Sequence, residues 1–100
     1  MIENEVNQTI QSILERIKEY VKIHHDHAAT CKFLTKKYQS GLDEIKNKQS
    51  AQAKSFVLWN KWFAPRILFE GIADPELLSL IEKLNELLHQ LIDMENINRD

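Results

Sequence analysis

Stepping from Val6 alternately by four and three residues lands on Ile10, Ile13, Ile17, Tyr20, His24, His27, Cys31, Leu34 and Tyr38, a heptad seam without a slip. Strands repeat every second residue, so this spacing predicts helix and excludes strand. Ile2, Leu14, Val21, Ile23 and Phe33 widen the seam, as on a helix that meets more than one partner. Beyond Tyr38 the register shifts. Leu42 and Ile45 resume the pattern after an extra step, and Ser40-Gly41 followed by Asp43 offers a stop and restart.

Residues 46–55, KNKQSAQAKS, contain no large apolar side chain and read as a turn or a solvated helical arm. Phe56, Trp59, Trp62 and Phe63 then fall at helical spacing. Pro65 disfavours helical geometry in Ala64 and breaks or kinks the chain there. The last helix opens with clear chemistry: Asp74 can cap, Pro75 loses nothing in the first turn, and Glu76 faces the positive end of the dipole. Leu77, Leu78, Leu80, Ile81, Leu84, Leu87, Leu88, Leu91 and Ile92 give that helix a broad apolar face. The expected fold is therefore all-α, a three- or four-helix antiparallel bundle over residues 1–100 with a long, coiled-coil-like N-terminal helix.

Length sharpens one point. A continuous helix over residues 3–48 would extend about 69 Å at 1.5 Å per residue, more than the rest of a small bundle can cover. Either the chain folds back near residues 24–28 or at Ser40-Gly41, or a second copy covers the seam. The second alternative predicts a self-associating protein that pairs through Ile10, Ile13, Ile17, Tyr20, His24, His27, Cys31, Leu34 and Tyr38.

Composition supports helices and narrows the chemistry. Two glycines and two prolines leave few forced breaks and few of the loops on which active sites sit, and no phosphate-binding glycine loop is present. A non-enzymatic protein is expected, with no cofactor. A single cysteine precludes an internal disulfide, and no apolar segment follows Met1, so a cytoplasmic location is the expectation. The longest apolar run, Phe56 to Trp59, is far short of the roughly 20 residues that cross a bilayer.

Charge is unevenly placed. Residues 16–66 hold eleven Lys/Arg against four Asp/Glu, whereas residues 70–100 hold two against eight. The simplest expectation is that the acidic C-terminal helix lies beside the basic middle and neutralises it. The alternative is a basic face for nucleic acid or a lipid surface through Lys32, Lys36, Lys37, Lys46, Lys48, Lys54 and Lys61, although no nucleic-acid motif accompanies the charge.

Two clusters remain. His24, His27 and Cys31 share one helical face, so a transition metal held by these three and one further ligand is a physically possible alternative. None of the common ligand spacings is present, and histidine and cysteine also pack as ordinary seam residues. Facing histidines in a seam would also make an association weaken near pH 6. The second cluster crowds Phe56, Trp59, Trp62, Phe63 and Phe69 among Lys54, Lys61 and Arg66. Tryptophan and arginine most often carry interface energy, so Phe56, Trp59, Trp62, Phe63, Arg66 and Phe69 are the candidate surface for another protein; the competing expectation is a plug of the bundle core.

Overall fold

A computed structural model describes residues 2–47, 50–72 and 74–98, with side chains for 3–47, 54–68, 71, 72 and 74–91. In chain order the elements are α1 (Ile2–Ile23), a 3-10 turn (His25–His27), α2 (Ala28–Lys46), α3 (Ser50–Trp62), α4 (Ala64–Gly71) and α5 (Pro75–Asn98). No strand occurs among the described residues, and no helix there is long and apolar enough to cross a membrane. The protein is an all-α bundle in which α3 and α4 form one kinked arm.

The N-terminal seam does not run on as a rod. It folds back at the polar tetrad His24-His25-Asp26-His27, whose residues are weaker helix formers than Leu, Lys or Glu. The His24 amide still donates to the Tyr20 carbonyl at 2.9 Å, and the His27 amide to the His24 carbonyl at 3.1 Å, closing a tight turn. The molecule is 49 Å along its longest axis, which the folded-back hairpin fits and a 46-residue rod would not.

Folding back lets the two halves of the seam cover each other. Val6, Ile10, Ile13, Ile17 and Tyr20 of α1 and Cys31, Leu34 and Tyr38 of α2 are all buried within one chain, together with Leu77, Ile81, Leu84, Leu87 and Leu88 of α5. Each such aliphatic contributes on the order of 2 kcal/mol, so this stripe carries the fold. The seam is therefore intramolecular core. It leaves no uncovered ribbon through which two copies would pair, since of its positions only His24 and His27, at the turn, keep appreciable contact with solvent.

Gly41 does not stop a helix: α2 runs through it to Lys46. Its missing side chain instead admits the ring of Phe56, which would lie 2.5 Å from a Cβ at that position. Glycine here sets the distance between α2 and α3. At the other predicted break the expectation holds, since Pro65 stands in the first turn of α4. The Phe63 amide nevertheless bonds the Trp59 carbonyl at 2.8 Å, and the Ile67 amide the Phe63 carbonyl at 3.0 Å, so helical bonds bracket the bend where Pro65 has no N–H to donate.

Asp74 caps α5 as expected, its Oδ1 accepting from the amides of Glu76 at 3.1 Å and Leu77 at 3.4 Å. It also binds Arg16 of α1 through two contacts of 2.7 and 3.2 Å, which fixes α5 antiparallel to α1.

The principal packings form a ring, α1 on α2, α2 on α3, α3 on α5 and α5 on α1, with α4 against α3 and α5. The lysine-rich helices α2 and α3 thus make one side of the bundle, and α1 and the acidic α5 make the other. The expected placement holds in part: the acidic α5 packs on α3, and Arg16, from the basic stretch, pairs with Asp74 and Glu76 of the acidic one. Among the described residues no ion pair joins a lysine of α2 or α3 to α5; the pairs found are Arg16 with Asp74 and Glu76, Lys22 with Glu19, and His27 with Asp26.

Candidate functional site

Helical phase decides which residues of α3 are free. Phe56, Val57, Asn60 and, past the kink, Ala64 point into the bundle, which leaves Leu58, Lys61 and Trp62 pointing out. The ring of Phe56 lies in the core, stacked on Trp59 at 6.2 Å and edge-on to Tyr38 at 5.7 Å. Its place among the candidate partner-binding residues is corrected on that ground. Trp59 is half-buried and joins core to surface: one side meets Tyr38 at 5.3 Å, another meets Phe33 of α2 at 6.3 Å, and the ammonium of Lys37 sits 5.7 Å from its ring.

Beyond Trp59 the surface is apolar and open. Trp62 is 64% exposed, Leu58 57%, Phe63 55% and Phe33 47%, values that packing inside this chain does not explain. Lys61 lies over Trp62, its ammonium 5.2 Å from the ring centre. Arg66 is exposed on α4, and the side chain of Phe69 lies outside the described ones. The sequence had marked Trp62, Phe63 and Trp59 but missed Phe33 and Leu58. Phe33 looked like seam widening, yet it sits one position short of the seam residue Leu34 and so faces outward.

Between α2 and α3 the surface dips into a groove of about 470 Å³, lined by Phe33, Phe56 and Trp59, with Lys36 and Lys37 on one wall and Glu44 also in the lining. Gly41 shapes its floor through the close approach of Phe56.

The histidine cluster is built differently from a metal site. Tyr20 and His24 stack at 4.3 Å, and the His24 and His27 rings are 6.4 Å apart. Cys31 is buried one turn further on, where burial pushes its thiol pKa up and away from the thiolate that a ligand or nucleophile needs. No group of three or more His, Cys, Asp or Glu able to hold a metal occurs among the described residues. The imidazole of His27 instead lies 3.8 Å from where a Cβ on Gly71 would stand, beside the end of α4. His24 and His27 lie at the turn between α1 and α2 of one chain.

No protein-family model, curated protein or solved structure matches this chain.

Proposed function

We propose that this protein is a non-enzymatic helical interaction module that holds another protein on the outer face of α2, α3 and the α3–α4 bend. The observation that carries this reading is the exposure of Leu58, Trp62 and Phe63 on the helix and bend that also carry Trp59, whose ring meets the exposed Phe33. Large aromatic side chains left in water stabilise nothing in the free chain, whereas at an interface they supply buried area at small entropic cost.

A photo-crosslinking residue placed at position 62 in the producing cell tests it. The reading expects one discrete protein adduct from position 62 and none from position 83 on the opposite side. Diffuse or absent adducts at 62 would refute it. The lysines of α2 and α3 support a second reading, adsorption to nucleic acid or an anionic lipid surface. That binding would be mostly electrostatic, and its absence at low salt would end the idea.

A further inference from the structure

The groove between α2 and α3 has an apolar floor, and Lys36 and Lys37 stand in its lining. Neither forms an ion pair among the described residues, and Glu44 is the one acid in the lining.

We propose that this groove receives an acidic segment of another protein, whose large apolar side chain seats against Phe33 and Trp59 while its carboxylates meet Lys36 and Lys37. The inference rests on the protein-binding reading of this face and adds the chemistry of the partner.

Charge disfavours the symmetric alternative. In a two-fold dimer each face meets its own copy, so two grooves carrying two lysines and one glutamate apiece would be pressed together. A head-to-tail contact with the acidic α5 side of a second copy would satisfy the charge and would give a ring or a filament, either of which light scattering detects. The groove's volume is in the range of ligand pockets, yet it is a trough between two parallel ridges open to solvent, a shape for a linear segment rather than an enclosed small molecule.

The test is a selection from random peptides of about 15 residues, long enough for roughly four helical turns, on the immobilised folded protein. The Lys36→Glu/Lys37→Glu and Phe33→Ala variants, each checked for an unchanged melting profile, serve as second targets. Enriched peptides should be net negative and carry a Phe, Trp, Leu or Ile. Their binding should fall at least roughly tenfold on the charge-reversed variant, fall on Phe33→Ala, and weaken with salt.

Enrichment of neutral or basic peptides, no enrichment, or acidic peptides indifferent to the charge reversal would overturn the proposal. A protein adduct at position 62 together with any of these results keeps the face as protein-binding and removes only the acidic occupant. Binding to phosphatidylglycerol vesicles with neither peptide enrichment nor an adduct would overturn both. Concentration-dependent growth in light scattering, suppressed by the charge reversal, would put a second copy in the groove and overturn the proposal in that way.

Discussion

The Tyr38 hydroxyl donates to Oδ1 of Asn60 at 2.5 Å inside the bundle, and the Asn60 amide nitrogen donates in turn to the Ile81 carbonyl at 3.3 Å. One fully buried asparagine therefore ties α2, α3 and α5 together where their apolar faces meet. Burial pushes the Tyr38 phenol pKa far up, so it stays a proton donor across the physiological range. Leu in place of Asn60 would fit the surrounding hydrophobicity but strand a buried hydroxyl.

Asn60→Leu is accordingly expected to lower stability by about 2 kcal/mol, the cost of orphaned buried polar groups set against a better-packed side chain. Tyr38→Phe removes the donor and leaves the amide oxygen without its partner, for about 1 kcal/mol. Urea unfolding of both single variants and the double gives the coupling. If the two losses simply add, the bond contributes nothing specific.

Gly41→Ala is expected to destabilise although alanine is the better helix former by about 1 kcal/mol. The added methyl would meet the Phe56 ring at 2.5 Å, and overpacking of that kind costs about 1–3 kcal/mol. Phe56→Leu should relieve the clash, so Gly41→Ala should cost less on that background than on the wild type. An equal cost on both backgrounds would mean that α2 and α3 do not approach as closely as described.

Acid sensitivity follows from Asp74. Burial pushes its carboxyl pKa up, but the Arg16 guanidinium and the amides of Leu77 and Glu76 outweigh this and hold it below the usual 3.8. The folded state thus releases the proton more readily than the unfolded one. Its contribution is complete above about pH 4 and is lost as pH falls through the lower folded-state value. Asp74→Asn, which can still cap, should flatten the pH dependence of stability between about pH 4 and 2. Asp74→Ala should cost about 1 kcal/mol more near neutrality through the lost cap. An acid unfolding curve identical in Asp74→Asn and wild type would contradict this.

Trp59 and Trp62 should separate cleanly. Trp59→Ala removes ring contacts with Tyr38, Phe56 and Phe33 and should cost about 2–3 kcal/mol, below a full core truncation because the ring is only half-buried. Trp62→Ala, at a mostly exposed site, should stay within about 0.5 kcal/mol of wild type. Thermal unfolding of the two variants distinguishes them.

Most of the architecture was legible because periodicity reports burial directly. The seam from Val6 to Tyr38, the Asp74 cap and the Pro65 bend could be read from spacing and capping chemistry. Two features could not. The turn at residues 24–28 stands only as one of two possible fold-back points, because it carries no glycine or proline and the seam passes through it in register; the need to bury both halves of one ribbon selects it. Gly41 has the appearance of a helix stop, and its use as the contact point for Phe56 depends on a neighbour 15 positions away. Phe56 and Phe33 exchanged roles for the same reason: an aromatic's phase on its own helix says little until the neighbouring helix is placed.

Service to a partner and service to the fold make opposite predictions for the exposed aromatic face of α2 and α3. The most direct measurement combines Leu58→Ala with Trp62→Ala and records, on one preparation, the thermal midpoint and the yield of the protein adduct formed by a crosslinker at position 63. A face that binds a partner gives a midpoint within a few degrees of wild type and loss of most of the adduct. A collapsed midpoint, or an adduct that survives both truncations, would contradict it.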